Sequence, residues 1–187
     1  MILDKISNRL QISLINARKI SVNPQLLHLD NLVKQAYFIN KFEAQKNGQH
    51  LRLSIKRKPT IFADNFAVYD IIDILIKNAI KFSNEGKTTE ITLDERDGKA
   101  VVEIRDQGCG LTNDEVVRIS ALMRNQPVAI TSTPFTTGFG FPLVKRLLDL
   151  QKGQISVCSD GKDMGSTFSV FFQTANQTIR KSINEVA

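Results

Sequence analysis

The stretch Ala100-Val101-Val102-Glu103-Ile104-Arg105-Asp106-Gln107-Gly108-Cys109-Gly110 decides how the chain is read. Its first six residues suit a strand, paired as a hairpin with Thr89–Glu95 through the turn residues Asp97-Gly98. The strand then runs into an aspartate followed by two glycines. A carboxylate at a strand end can accept from an exocyclic amine, while glycines let the backbone approach a planar ring. Taken alone, the same five residues, Asp106–Gly110, equally describe a tight turn with an exposed acid.

Working outward, Val68, Ile71, Ile72, Leu75 and Ala79 follow a 3.6-residue period, and Asp64 is a suitable helix cap before them. An earlier helix is expected from Asp30, read as its N-cap, to Lys46, with Asn47-Gly48 as its stop. Leu51, Leu53 and Ile55 alternate with polar residues as a strand does, and a short apolar piece, Thr60–Ala63, follows Pro59. Beyond Gly110, helices are expected over Asn113–Arg124 and Phe139–Leu150, the latter closing at Gly153. Strands over Gln154–Ser159 and Ser166–Phe172 flank the turn Asp160-Gly161, and the polar end from Thr174 reads as a frayed helix. Strands grouped beside about three long helices, without strict alternation, predict an α+β fold: a two-layer sandwich with the helices on one face of a mixed sheet. Ahead of it, Leu3, Ile6, Leu10, Leu14 and Ala17 make a narrow helical stripe that ends near Pro24, the pattern of a helix seeking a helical partner.

Composition excludes several classes. The chain has 187 residues, room for one domain with a helical extension. No apolar run approaches the roughly 18 residues a membrane-spanning helix needs, and no signal-peptide pattern opens the chain. Cys109 and Cys158 lie far apart outside any metal-binding spacing, and His28 and His50 are the only histidines; zinc is not expected, and reduced thiols in a cytoplasmic protein are. Residues 1–60 hold 11 Lys and Arg against 3 Asp and Glu, whereas the remainder is slightly acidic. No nucleic-acid motif or interleaved aromatic accompanies the basic half, so it reads as a solvated face, with an acidic partner protein as the other option.

Three clusters carry possible chemistry. Asn78 and Lys81, three apart near the end of the Val68–Phe82 helix, share a face. An amide oxygen can enter the octahedral shell of Mg²⁺ and an ammonium can offset phosphate charge, although such residues near a helix end are commonly only solvated. Asp106–Gly110 is the second cluster. The third is Thr136-Thr137-Gly138-Phe139-Gly140-Phe141, opening a helix. Its glycines free backbone N–H groups for phosphate or merely hinge a lid, and neither the dinucleotide fingerprint nor the Walker pattern is met.

In order and spacing, Asn78–Ser83, Asp106–Gly110, Gly138–Gly140 and Gly165-Ser166-Thr167-Phe168 resemble the motifs of the sensor histidine-kinase catalytic domain. That domain belongs to the ATPase superfamily shared with gyrase, mismatch-repair ATPases and a heat-shock chaperone. The resemblance covers roughly residues 30–173 and implies a two-layer sandwich with ATP bound between long helices and a flexible lid. It implies Asn78 as the Mg²⁺ ligand, Lys81 near the phosphates, and Asp106 bonded to the adenine amine. Gly108 and Gly110 would shape the adenine pocket, Thr167 would reach it through its hydroxyl, Gly138 and Gly140 would hold the phosphate end, and Phe82, Leu111 and Phe139 would complete the cofactor-binding set. The 27 residues between Gly110 and Gly138 suit a lid.

The implied division is 1–22 as the end of a dimerisation-hairpin helix, 23–174 as the ATPase domain and 175–187 as a tail. The hairpin's phosphate-accepting histidine matches neither His28 nor His50, so the resemblance implies a piece of a longer sensor that dimerises through its hairpin, with membrane anchoring of that parent left open. It would transfer phosphate onward to a response regulator, with no nucleic-acid or membrane contact by this part.

Departures from the family stand beside these expectations. A second asparagine usual one turn before Asn78 is Ile74, which also cannot serve as the general base that hydrolytic relatives carry there. The first glycine of the third motif is Thr136, and the lid's usual Phe-rich motif is reduced to Phe135, with Met123 as a packing substitute. Two functions therefore follow: the ATP-binding catalytic domain of a histidine kinase, or a degenerate kinase-like module that binds nucleotide or partners without transfer.

Overall fold

The computed structural model describes residues 22–124, 126 and 140–177. The expected hairpin helix over residues 1–20, the lid residues Phe135 and Thr136, the glycine-loop residues Gly138 and Phe139, and the tail beyond residue 177 lie outside the described residues. In chain order the elements are β1 (Pro24–His28), α1 (Leu29–Lys46), β2 (His50–Ile55), β3 (Thr60–Asp64), α2 (Asn65–Lys81), β4 (Thr88–Arg96), β5 (Lys99–Arg105), α3 (Asn113–Met123), α4 (Gly140–Leu150), β6 (Gln154–Cys158) and β7 (Thr167–Gln173).

Five strands form one mixed sheet in the order β2-β4-β5-β7-β6, with β2 and β4 parallel and the other neighbours antiparallel. The β4–β5 hairpin turns through Asp97 and Gly98, at φ 52° and 71°. Two positive-φ residues match the right-handed twist of the strands, which is why Asp-Gly closes the hairpin there. Alternation along the strands sends Ile91, Leu93, Val102, Ile104, Phe168, Val170 and Phe172 into the core. The opposite face carries charged residues such as Arg52 and Glu90, 4.0 Å apart. The helices cover the apolar face, completing the predicted α+β sandwich.

Helix α2 is the spine of that layer. Asp64 caps it, accepting from the Ala67 amide at 2.9 Å, and Val68, Ile71, Ile72, Leu75, Ile76, Ala79 and Ile80 are buried along it. A polar tie joins it to α1: the buried Asn40 amide donates to Asp73 at 2.7 Å, and the same carboxylate accepts from Lys77 at 2.6 Å. Both carboxylate oxygens are thus used, which satisfies an acid that would otherwise be costly to bury.

Three expectations are corrected. Strand β1 was absent from the sequence reading; Pro24–His28 pairs antiparallel with β3, Leu26 facing Phe62. Its lone buried residue is Leu27, so no alternation marked it. Asp30 is not the N-cap of α1: the helix starts at Leu29 after His28, which makes no side-chain capping bond, and Asp30 lies in the first turn paired with Lys34 at 2.7 Å. An acid there still favours the helix dipole, so the sequence preference has a second cause. Nor is the chain frayed at Thr174, whose amide and hydroxyl both donate to the Gly98 carbonyl, at 3.1 and 3.0 Å.

Ile72 is fully buried at the centre of α2. Ile72→Ala is expected to lower unfolding stability by about 2–5 kcal/mol, as read from urea denaturation. A variant within error of the parent would contradict the proposed role of α2 as spine.

Candidate nucleotide site

Strand β5 ends at Arg105 and delivers Asp106 into the helix layer, where the residue is only 5% exposed. Its carboxylate is held on both oxygens. Oδ1 accepts from the amides of Gly108 at 2.8 Å and Ser166 at 3.2 Å, and Oδ2 accepts from the Ser166 hydroxyl at 2.5 Å. The main chain repeats the link, the Asp106 amide donating to the Ser166 carbonyl at 2.9 Å. Because the Ser166 proton is directed to the acid, the pair presents only lone pairs outward. Such an edge accepts from an amine and has nothing to donate to a carbonyl.

The two glycines of the turn are required by neighbouring main chain. A Cβ on Gly108 would lie 2.3 Å from the Phe82 carbonyl oxygen, the residue that closes α2. Gly110 has φ +62°, and a Cβ there would lie 2.0 Å from the Gly161 carbonyl oxygen. The Cys109 amide donates to that same Phe82 carbonyl at 3.1 Å, so the turn is seated directly on the C-terminus of α2. Burial pushes the Cys109 thiol up, with Asp106 and Asp163 adding to the effect against an opposing backbone hydrogen bond. Cys109 is therefore a neutral thiol at neutral pH, and the turn offers no nucleophile.

Asn78 is half-buried on α2, one turn beyond Ile74. A Cβ on Gly140, the first residue of α4, would lie 3.1 Å from Ile74 Cγ2 and 3.3 Å from Asn78 Nδ2. The start of α4 thus rests on both side chains, which brings Asn78 and Gly140 together. Lys81 is exposed, its ammonium over the Phe82 ring at 5.3 Å from the centroid. Leu111 is fully buried in the core. Gly138 and Phe139 lie outside the described residues.

Thr167 takes a different place from the one expected. It pairs with Arg105 and Cys158, whereas Phe168 beside it points into the core and stacks on Phe141 with centroids 5.2 Å apart. Strand pleating therefore turns Thr167 to the open face, and the hydroxyl that meets Asp106 belongs to Ser166. The alternation of Phe168, Val170 and Phe172 carried that signal in the sequence. Among the described residues no cluster of three His, Cys, Asp or Glu could hold a metal ion. Likewise, no described helix is long and apolar enough to cross a membrane.

Residues 63–176 match the family model described as histidine kinase-, DNA gyrase B-, and HSP90-like ATPase. The chain belongs to that family, and its domain is an ATP-binding catalytic domain of the sensor-histidine-kinase type. It is 31% identical over 149 residues to the adaptive-response sensory kinase SasA of Prochlorococcus marinus, covering 78% of this chain and 38% of that protein. The chain thus spans well under two thirds of that relative's length. Two solved structures share the fold. Full-length ShkA in complex with AMPPNP superposes with a TM-score of 0.73 at 22% identity, covering 93% of this chain and 36% of that one. Histidine kinase ThkA in complex with the response regulator protein TrrA gives 0.72 at 16% identity, covering 92% and 48%.

Gly108→Ala forces a methyl group into the Phe82 carbonyl, and the turn must move to admit it. The expected cost is about 1–3 kcal/mol of unfolding free energy, measurable by guanidinium denaturation. Unchanged stability would show that the turn is not seated on α2 as described.

Proposed function

We propose that this chain binds ATP in the cleft between the Asp106 turn and the start of α4, and that it serves as the phosphate-donating domain of a longer histidine kinase. The observation that carries the reading is the Asp106–Ser166 pair, a nearly buried edge of acceptors suited to the adenine amine. Phosphates at the opposite end would meet Asn78, Lys81 and the amides at the start of α4, where helix-terminal N–H groups favour negative charge.

The donor set fits a metal brought in by the nucleotide rather than one held by the protein alone. Asn78 supplies one amide oxygen, and Ile74 a turn earlier supplies none. Mg²⁺ commonly retains waters and takes further oxygens from the phosphates, so one protein ligand suffices if ATP is present. When bound, the metal supplies charge compensation for the phosphates. The chain's own residues orient the base, shield its amine from water and line the phosphate end. The γ-phosphate would pass to a histidine on the dimerisation hairpin and thence to a response-regulator aspartate; the pairing of ThkA with its regulator, in a protein of the same fold, supports that partner class. Phosphoryl transfer asks chiefly for positioning and electrostatics, which this set of residues can provide.

Ile74 favours a second reading, a nucleotide-binding module without transfer. Its side chain fills space beside Asn78 with carbon and gives the metal shell no further ligand.

Calorimetric titration with ATP is expected to show micromolar binding, about −8 kcal/mol, strengthened by Mg²⁺. Asp106→Asn should weaken it by about ten- to a hundredfold, the worth of a hydrogen bond to a charged group. Asn78→Ala should abolish the Mg²⁺ effect while leaving metal-free binding intact. Equal affinity in all three proteins would remove the proposed site. To separate the two functions, radiolabelled ATP is supplied with the hairpin in trans. Acid-labile phosphohistidine on the hairpin is the kinase outcome, and tight ATP binding without label is the module outcome.

A further inference from the structure

The two halves of the base-reading pair lie on different chain segments. Asp106 belongs to the turn after β5, whereas Ser166 immediately precedes β7. Something must hold these segments at one spacing, because a hydroxyl-to-carboxylate hydrogen bond forms only over a narrow range of distance and angle. The loop Ser159–Gly165 between β6 and β7 runs alongside the turn and touches it repeatedly. The Asp163 amide donates to the Cys109 carbonyl at 2.8 Å, and the Gly165 amide to the Gly108 carbonyl at 3.2 Å. A Cβ on Gly165 would lie 2.1 Å from the Asp106 carbonyl oxygen, so the two backbones are in direct contact.

One side chain joins both segments at once. The Ser159 hydroxyl accepts from the Leu111 amide at 2.9 Å, which fixes the exit of the Asp106–Gly110 turn. It lies 2.6 Å from the Gly165 carbonyl, its nearest acceptor, which fixes the residue next to Ser166. Leu111 is fully buried, so its amide has no water to turn to if the hydroxyl is lost. The hydroxyl has one proton and the Gly165 carbonyl takes it, so Ser159 has no proton left to give to a ligand.

We infer that Ser159 is a positioning residue for nucleobase recognition: its hydroxyl sets the distance between Asp106 and Ser166 by tying Leu111 to Gly165. The inference rests on the nucleotide reading above and adds a residue from outside the cleft to it. Removing the hydroxyl takes one tie from this set and loosens the spacing of the turn and the loop, while the backbone bonds between them remain. What should then be lost is discrimination for the exocyclic amine, rather than binding of the triphosphate as a whole.

The test compares affinities for ATP and for purine riboside triphosphate, which lacks the 6-amino group, in the parent chain and in Ser159→Ala, Ser159→Thr, Asp106→Asn and the Ser159→Ala/Asp106→Asn double variant. The parent should prefer ATP. In Ser159→Ala that preference should fall about tenfold, the scale of one buried hydrogen bond, while the analogue binds nearly as before. Ser159→Thr, which keeps the hydroxyl, should restore it. In the Asp106→Asn background, Ser159→Ala should change the preference no further, because both act through one contact. Preserved preference in Ser159→Ala, or an equal loss for both nucleotides, overturns the inference while leaving the site itself standing. If the parent shows no preference and Asp106→Asn binds ATP as the parent does, the nucleotide reading fails instead. Should Ser159→Ala not fold by circular dichroism, Ser159→Cys, which keeps the volume and weakens both bonds, is read by the same criteria.

Discussion

The site depends on main chain meeting main chain with no side chain between. Three segments distant in sequence converge: the end of α2 at Phe82, the turn Asp106–Gly110, and the loop leading to Ser166. Gly108 and Gly110 occur where a Cβ would overlap a carbonyl oxygen of another segment, at 2.3 and 2.0 Å. Backbone amides and carbonyls bond one another across these contacts, Cys109 to Phe82, Asp163 to Cys109 and Gly165 to Gly108, so the junction is polar and closely packed. Rigidity follows, and with it a carboxylate whose direction is set before any ligand arrives. Preorganisation of that kind lowers the ordering cost of binding.

This changes what the glycines mean. In sequence they suggest room for a ligand's ring; in the structure they make room for the protein's own backbone. In the proposed reading, recognition of a base rests on side chains that the junction aims, Asp106 and Ser166. At the start of α4 the chemistry is thinner. Asn78 stands beside Ile74 and Gly140, so among the described residues the polar side chains proposed for the phosphate end are one amide and the nearby Lys81.

Much of the architecture was legible because periodicity reports burial. The apolar repeat of α2, the Asp64 cap and the Asp97-Gly98 hairpin were each readable from local physics. Strand β1 was not, since a two-stranded ribbon exposing Gln25, Leu26 and His28 leaves no alternation to detect. Helix α1 is legible, but its N-cap is His28, two residues before the expected Asp30, because an acid suits both a cap and a first turn. At the site, the motifs drew attention to Asn78, Asp106 and Gly140, of which Asn78 and Gly140 lie against each other. The hydroxyl was assigned to Thr167 instead of Ser166, a shift by one that reverses the face in a strand. Ser159 was invisible for a different reason: its role arises from two backbone groups, Leu111 N–H and the Gly165 carbonyl, which no side-chain motif encodes.

The central claim is that the acceptor edge of Asp106 and Ser166 and the amide of Asn78 bound one ligand-binding cleft. Titration of the ¹⁵N-labelled chain with a non-hydrolysable ATP analogue and Mg²⁺, followed by amide chemical shifts, tests it most directly. The account predicts that the backbone amides of Gly108 and Ser166 and the side-chain amide of Asn78 shift together along a single binding curve, with Arg52 and Glu90 on the open face unmoved. Shifts confined to the open face, or separate curves for the Asp106 and Asn78 ends, would contradict it.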